Sequence, residues 1–437
     1  MAAESWDVII IGAGVAGLAA AAALRDSGRS LLILEARDRI GGRAWTRHEP
    51  GLEAPIELGA EFIHGNVPET FELLRAVGHA ALDTSGAHWT LQNGKLTQRT
   101  EDLFGEIQHA ISRSRVLEAP DITFEAFLER SGRAGLSREA IAMARAFVEG
   151  FDAADPARVS AQSVAQEWQS GGMLDGPQYR PSGGYGSLLL ALAGSLQRER
   201  ARVQLHTTVT AVSWRRGAVE VAGHFREKPF RASARRLIVT LPLGVLQAAA
   251  QTPGAVRFTP PLEAKRTALQ GLASGPVLKV SLRFRDLFWE QLENGRYMDA
   301  AFFHSPDTLF PTFWTPRPLR APLLTAWVGG PKATRLSEQQ DDVIVDEALA
   351  SLAIVFGDGA IGELEGAYMH NWQTDPLARG AYSYVTVGGS GARQSLAAPL
   401  EETVFFAGEA AAEEAATITG ALQSGRIAAH RVAESFV

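Results

Sequence analysis

Short apolar runs alternate with glycine-rich turns at the start of the chain. Residues 6–11 form a β-branched run bounded by glycine, which predicts a buried parallel strand. The turn over residues 12–17 (GAGVAG) follows, and an alanine-rich stretch over about 18–25 predicts a helix. A second apolar run over residues 30–34 predicts the next strand and is followed by Glu35. The pattern therefore predicts a strand–turn–helix–strand unit.

The three glycines of the turn have the spacing of a dinucleotide-binding site. Gly12 permits the tight turn, Gly14 lets the backbone approach a pyrophosphate, and Gly17 lets the helix pack closely on the strand. The helix N-terminus offers unpaired N–H groups and a partial positive charge to the phosphates. Glu35 stands where a carboxylate accepts hydrogen bonds from ribose hydroxyls. The turn by itself does not separate NAD from FAD.

The residues after Glu35 separate the two cofactors. The segment over residues 37–43 (RDRIGGR) resembles the ExxxRxGGR extension of the FAD-dependent amine oxidase family. In that family Arg37 and Gly42 contact the cofactor, and Arg43 can neutralise the pyrophosphate. The chain has no cysteine, so a cysteinyl–flavin bond is excluded and we expect non-covalent FAD.

Other segments match the same family in the expected order. Position 64 carries a histidine, as in animal polyamine oxidases. Tyr382 matches the first tyrosine of the monoamine oxidase cage, whereas the second position falls on Thr417. The resemblance is therefore closest to the polyamine oxidase branch. The matching segments are residues 57–65, 182–188, 203–212, 237–246, 278–284, 371–376, 379–384, 406–409 and 419–425.

The resemblance implies a set of cofactor contacts. Val209 is the backbone contact of the adenine, Trp372 packs against the flavin edge, and Glu409 bonds the ribityl chain. The full set of expected FAD contacts is Gly12, Gly14, Gly17, Glu35, Arg37, Gly42, Arg43, Gly59, Ala60, Glu61, Phe62, Val209, Trp372, Gly408, Glu409, Thr419 and Ala421.

The resemblance also implies the catalytic residues, Lys279, His64 and Tyr382. Lys279 is expected near flavin N5 behind a bridging water, where a desolvated lysine loses its proton readily. His64, Tyr382 and Thr417 are the expected substrate contacts. The alternatives from the residues alone are a snorkelling lysine at a strand edge for Lys279 and core side chains for His64 and Tyr382. Carboxylates at Glu61, Glu413 and Glu414 are hypothetical partners for distal ammonium groups.

The expected reaction is the oxidation of an amine. A hydride passes from the α-carbon of a neutral amine to flavin N5, water hydrolyses the imine to an aldehyde and an amine, and O2 is reduced to H2O2. We expect polyamines as substrates, namely spermine, spermidine or their acetylated forms. A monoamine oxidase or an L-amino-acid oxidase stays open, the latter with Arg379 facing a carboxylate. A demethylase-like module acting on a peptide lysine and a carotenoid or porphyrin desaturase also stay open.

An α/β fold with two domains is expected for 437 residues. A Rossmann-type FAD-binding domain would comprise residues 1–82, 184–258 and 397–437. The substrate domain would comprise residues 83–183 and 259–396. We expect it to have a mixed sheet that contains Lys279 and residues 323–329 and 382–386, with a helical lid over about 83–182. The prolines at positions 260 and 261 mark a crossing between domains.

Composition restricts partners and location. A net charge of −7 disfavours a nucleic-acid surface, and the lack of cysteine excludes disulfides and thiolate metal sites. The N-terminus has no basic region typical of a signal peptide, and the apolar residues 8–24 are interrupted by the three spaced glycines. We therefore expect a cytoplasmic monomer or homodimer that binds an amine and O2, without nucleic acid, membrane or metal.

Overall fold

The computed structural model describes residues 4–98, 103–169, 176–196, 200–413 and 416–436. Glu414, one of the hypothetical ammonium partners, lies outside these residues. In chain order the strands are β1 (Glu4–Ile11), β2 (Leu31–Leu34), β3 (Thr46–Arg47), β4 (Ile56–Glu57), β5 (Ile63–His64), β6 (Ala81–Asp83), β7 (Ala87–Gln92), β8 (Lys95–Gln98), β9 (Gln178–Pro181), β10 (Ala201–Gln204), β11 (Thr207–Arg215), β12 (Ala218–Phe225), β13 (Lys228–Val239), β14 (Arg257–Thr259), β15 (Leu272–Gly275), β16 (Val277–Phe284), β17 (Ala300–His304), β18 (Thr312–Trp314), β19 (Leu323–Gly329), β20 (Leu364–Met369), β21 (Tyr382–Val385) and β22 (Val404–Phe406).

Helices and short 3-10 turns connect these strands. The helices are α1 (Val15–Leu24), α2 (Pro68–Ala76), α3 (Leu103–Ser114), α4 (Phe124–Arg133), α5 (Arg138–Gly150), α6 (Ala161–Gln169), α7 (Tyr185–Gly194), α8 (Leu243–Leu246), α9 (Arg266–Gln270), α10 (Phe288–Gln291), α11 (Gly330–Leu336), α12 (Asp341–Phe356), α13 (Ala392–Ala397) and α14 (Ile418–Glu434). The 3-10 turns are Glu263–Lys265, Leu292–Asn294, Asp358–Glu363 and Glu409–Ala411. Among the described helices, none has the combination of length and apolar character that crossing a membrane requires.

Parallel pairing organises the sheet that carries the glycine-rich turn. Its order is β10-β2-β1-β13-β12-β11-β14, and β22 also pairs with β13. The neighbours β10, β2, β1, β13 and β22 are parallel, whereas β11, β12 and the start of β13 form an antiparallel meander. Parallel strands covered on both faces are apolar throughout, and the four residues of β2 are all buried. This is the predicted Rossmann-type core.

The second large sheet has seven strands in the order β20-β16-β19-β18-β17-β7-β8. It is mixed, because β7 and β17 are parallel and the other neighbours are antiparallel. Lys279 on β16 lies opposite Trp327 on β19 in this sheet. The pairing of Lys279 with residues 323–329 is therefore as predicted, and so is the α/β fold class. The exact domain boundaries stay a prediction.

The predicted place of Tyr382 in that sheet is wrong. Its strand, β21, pairs with β15 in a separate two-stranded sheet. Pro276 separates β15 from β16, and a proline cannot donate to a strand ladder, so the strand is interrupted there. The free edge of β16 is taken by β20 instead.

Two further expectations need correction. The run over 203–212 forms two strands, β10 and β11, because the chain turns at His206, whose φ is +54°. The sequence pattern predicts a helical lid from about residue 83, but β7 and β8 join the seven-stranded sheet and the helices α3–α6 begin at Leu103. Asn93 and Gly94 have φ values of +49° and +74°, as a tight hairpin requires.

Candidate active site

Both large sheets border one cavity of about 2210 Å³. Pockets for small ligands usually measure about 300–1,000 Å³. This cavity therefore has room for a dinucleotide and a second molecule. Except for Gly17, every residue expected to contact FAD or substrate lines this cavity.

The phosphate turn has the geometry that its glycines predict. Gly12 has φ +105°, in the region that favours glycine. A Cβ on Gly17 would lie 1.9 Å from the carbonyl oxygen of Gly12, so this residue serves the packing of α1 rather than the cavity wall. Helix α1 begins at Val15, earlier than predicted, and Gly14 provides no side-chain cap to its N-terminus. Its first N–H groups are thus available to an anion.

Glu35 and Arg37 line the cavity next to the phosphate turn. The N–H groups of Ala13 and Arg37 donate to the two carboxylate oxygens of Glu35, each at 2.9 Å. An ionised carboxylate accepts more than one hydrogen bond per oxygen, so ribose hydroxyls can still bind. Arg37 donates to Asp375 at 2.7 Å and is therefore held by an ion pair.

Arg43 and Glu409 are paired with each other, which the sequence did not suggest. Nη1 of Arg43 lies 2.9 Å from Oε1 of Glu409 and 2.6 Å from the carbonyl oxygen of Ala381. The hydroxyl of Ser383 donates to the other oxygen of Glu409 at 2.6 Å. Burial would raise the pKa of Glu409, but the guanidinium groups of Arg43 and Arg393 outweigh it and lower the pKa. This cluster of two cations and one anion keeps a positive charge at the cavity wall.

Lys279 is desolvated, as expected, and lies in an ion pair that the sequence did not suggest. Its Nζ lies 2.5 Å from Oε2 of Glu61 and donates to the carbonyl oxygen of Gly59 at 3.1 Å. Oε1 of Glu61 accepts from Arg180 at 2.8 Å and from Trp314 at 3.0 Å. Both oxygens of Glu61 are therefore engaged by the protein, which argues against Glu61 as a partner for a distal ammonium.

His64 keeps one ring nitrogen available. Burial lowers its pKa to about 4, so the imidazole is neutral at pH 7. Nδ1 is buried and has no hydrogen-bond partner within the described part of the chain. The ring packs edge-to-face on Phe151 at 5.3 Å between centroids. A buried polar atom without a partner is costly, so a ligand that bonds Nδ1 would be favoured.

Tyr382 presents its ring to the cavity and its hydroxyl to the protein. The hydroxyl donates to the carbonyl oxygen of Phe151 at 2.6 Å. Burial raises the pKa of Tyr382 well above its ordinary value, and the nearby carboxyl groups, Glu409 among them, raise it further. The phenol is therefore neutral, and its ring is the part left for a ligand.

The hydroxyls of Thr417 and Thr419 have partners within the protein, in α14 and α2 respectively. The hydroxyl of Thr417 caps the helix by accepting from the N–H of Gly420 at 2.9 Å. The hydroxyls of Thr419 and Thr70 lie 3.1 Å apart.

Trp372 is buried and donates to the carbonyl oxygen of Leu58 at 2.8 Å, which fixes its indole beside the segment after β4.

Sequence reasoning missed two partly buried acids, Asp152 and Glu167. Their side chains are hydrogen-bonded to each other, and both line the cavity. Burial raises the pKa of Asp152 well above its ordinary value, and the neighbouring Glu167 raises it further. Burial also raises the pKa of Glu167. Oδ2 of Asp152 is buried and has no partner among the described residues. No local motif marks either acid, because the turn after α5 and the helix α6 bring them together only in the fold.

The residues fit FAD. The glycine turn, the uncapped end of α1 and the carboxylate of Glu35 suit a pyrophosphate and a ribose, and the cavity continues past Lys279. Among the described residues, no group of three His, Asp or Glu side chains is suited to a metal ion.

Comparisons with known proteins agree with this geometry. Human lysine-specific histone demethylase 2 is 28% identical over 458 residues, which cover 98% of this chain and 53% of that protein. Polyamine oxidase 4 of Oryza sativa subsp. japonica is 27% identical over 455 residues, which cover 97% of this chain and 87% of that protein. The chain thus spans about half the length of the histone demethylase.

Solved structures show the same fold. A double mutant of putrescine oxidase has a TM-score of 0.80 at 22% identity and covers 98% of this chain and 99% of its own. Cyclohexylamine oxidase from Brevibacterium oxydans has a TM-score of 0.79 at 23% identity, with 99% of each chain covered. The family model described as flavin containing amine oxidoreductase matches residues 15–433, which confirms the predicted flavin cofactor. This chain belongs to the flavin containing amine oxidoreductase family.

Proposed function

We propose that this protein is an FAD-dependent oxidase of amines that carry a second positive charge, namely diamines and polyamines. The observation that carries the proposal is the Asp152–Glu167 pair, a partly buried acidic site on the wall of the cavity that also contains the phosphate turn. The polyamine oxidase and putrescine oxidase relatives support the same substrate class.

The acids of this region suit a cationic ligand. Glu139 and Glu149 on α5 line the same cavity as Asp152 and Glu167. An ammonium near the Asp152–Glu167 pair would bond the unpartnered Oδ2 of Asp152. Its positive charge would favour loss of the proton that the raised pKa of Asp152 retains. Aromatic faces at Phe151 and Tyr382 stand beside this region and attract cations as well.

The reacting nitrogen has different requirements. Bound FAD supplies the two-electron oxidation of the amine, for which the nitrogen must be neutral. His64 is neutral at pH 7 and offers Nδ1 as one hydrogen-bonding atom for a substrate nitrogen. The hydroxyl of Tyr382 is held by Phe151, the residue on which His64 packs, so the ring of Tyr382 has a fixed position on the same cavity wall. These roles of His64 and Tyr382, and that of Lys279, are proposals drawn from their positions.

An amino-acid oxidase is disfavoured by the arginines. Such an enzyme needs a free arginine to bind the substrate carboxylate. Arg379 is not on the cavity wall and donates to the carbonyl oxygen of Pro253 at 2.6 Å. The arginines that line the cavity in the described residues already bond protein groups; they are Arg37, Arg43, Arg393 and Arg431.

A direct test compares matched amines. Peroxide release is measured with 1,4-diaminobutane against 1-aminobutane, and with spermidine, spermine, tyramine and leucine, followed by product analysis. We expect a kcat/KM for the diamine at least about 10-fold above that for the monoamine, since a hydrogen bond to a charged group contributes about 1.5–3 kcal/mol. Equal values for the matched pair, or turnover of leucine alone, would contradict the proposal. Turnover of a methylated peptide lysine but of no free amine would instead favour a demethylase-like module.

A further inference from the structure

The carboxylate of Glu61 is the meeting point of three strands from the substrate side of the cavity. It bonds Lys279 on β16 at 2.5 Å, Arg180 on β9 at 2.8 Å and Trp314 on β18 at 3.0 Å. Glu61 itself belongs to the segment between β4 and β5, which borders the cavity from Gly59 onward. One side chain thus fixes the position of the lysine relative to that segment.

The three charged groups are shielded from solvent. The side chains of Lys279, Arg180 and Glu61 are 3%, 9% and 11% exposed. Burial by itself would raise the pKa of Glu61, but the charges of Lys279 and Arg180 outweigh it and lower the pKa. Glu61 is therefore ionised. Loss of one partner from such a buried pair leaves an uncompensated charge, so the members depend on one another.

The neighbouring acid does not duplicate this role. Glu57 on β4 is also buried, but its carboxylate accepts from the hydroxyl of Thr46 at 2.9 Å and from the N–H of Tyr185 at 2.6 Å. Burial raises the pKa of Glu57 to about 7. Among the described residues, Glu61 is the carboxylate that forms an ion pair with Lys279.

We propose that Glu61 is a positioning residue that holds the Lys279 side chain as an ammonium against the carbonyl oxygen of Gly59. Position 279 then acts as a fixed positive charge on the cavity wall, and not as a neutral amine that accepts protons. Arg180 completes the cluster, which has two cations and one anion and so keeps one net positive charge. The proposal requires bound flavin but no particular substrate, and so does not depend on the amine that is oxidised.

The proposal makes a spectroscopic prediction for Glu61→Gln. Without the carboxylate, Lys279 is buried beside Arg180 with no anion, and both burial and the like charge favour loss of its proton. The absorbance of the bound flavin, recorded without substrate, should then change with pH in a new step between about pH 6 and pH 10. The double variant Glu61→Gln/Lys279→Met should lack this step. A step from Glu57 would be present in both variants, at a higher pH in the double variant because Lys279 lowers the pKa of Glu57, and is thereby distinguished from the new step.

A second comparison needs no change at Glu61. Flavin absorbance of the unaltered protein and of Lys279→Met is titrated over the same range. The two should have the same number of steps, with any step from Glu57 at a higher pH in Lys279→Met, because the charge of Lys279 lowers the pKa of Glu57. A step that is present in the unaltered protein and lost in Lys279→Met would overturn the proposal. The absence of a new step in flavin-loaded Glu61→Gln would overturn it as well; if that variant does not fold, the comparison with Lys279→Met decides.

Discussion

Replacing Asp152 by asparagine should separate the binding of a second ammonium from the rest of the reaction. The change removes the carboxyl group that can become negatively charged when an ammonium binds, but keeps a side chain of the same shape. The amide can still donate to Glu167. A hydrogen bond to a charged group contributes about 1.5–3 kcal/mol. At 1.36 kcal/mol per factor of ten, this is a loss of about 10- to 150-fold in kcat/KM for a diamine. For the monoamine of equal length, kcat/KM should change by less than about 3-fold.

The same change should stabilise the protein. The pKa of Asp152 is raised by burial and by Glu167, so the folded state retains a proton that the unfolded state releases. In that case stability falls as pH rises from the ordinary carboxyl range through the raised pKa. Asp152→Asn removes this loss, which predicts a higher free energy of unfolding at pH 8, by on the order of 1 kcal/mol, and little change at pH 4.

The assay is paired kinetics and denaturant unfolding, with Asp346→Asn as the matched control. Asp346 is an exposed residue of α12 that does not line the cavity, so neither quantity should change. An equal loss of kcat/KM with diamine and monoamine would refute the role in binding a second charge. A lower stability of Asp152→Asn at pH 8 would refute the argument that the acid pair is an unfavourable arrangement retained for a ligand.

Three further predictions concern the cofactor turn, His64 and the flavin linkage. Gly17→Ala should cost about 1–3 kcal/mol of stability and weaken FAD binding, because the added Cβ would overlap the backbone of Gly12. The matched control is Gly194→Ala in α7, whose added Cβ meets nothing within 4 Å. This control should be neutral or stabilising in thermal melts. The pKa of His64 is about 4, so His64 does not titrate between pH 5.5 and 9. The pH profiles of kcat/KM for the unaltered protein and for His64→Gln should therefore have the same inflections in this range. An inflection that is missing in the variant would contradict this prediction. Denaturation followed by filtration should release all flavin, since there is no cysteine to bind it; flavin retained on the protein would require another linkage.

The sequence predicts well what depends on neighbouring residues. The glycine turn, the strand before it and the acid after it lie within thirty residues or so, and local sterics decide their conformation. The hairpin of β7 and β8 is also locally encoded, by alternating residues around Asn93 and Gly94, although the expectation of a helical lid did not include it. Nearly all of the site residues that the family resemblance implies line one cavity in the fold.

Interactions between distant residues are not predictable in this way. The sequence pattern places Tyr382 in the sheet of Lys279, yet its strand pairs with β15, and this choice depends on Pro276 and on β20. From sequence Glu61 is a hypothetical ligand for substrate, but Arg180 and Trp314, which are 119 and 253 positions away along the chain, occupy its carboxylate. Pairings over such distances follow from the assembled fold, and no spacing rule in a single sequence expresses them.

The acids of the cavity divide according to the partners that the fold provides. Glu61 and Glu409 each meet a lysine or an arginine, so their charges are compensated before any ligand enters. Asp152 and Glu167 meet each other, and a folded chain gains nothing from two partly buried carboxyl groups side by side. An unfavourable arrangement of this kind persists where a function requires it. Charge compensation by the fold, more than membership of a motif, is therefore the criterion by which we propose Asp152 and Glu167 as the acids that bind a cationic substrate.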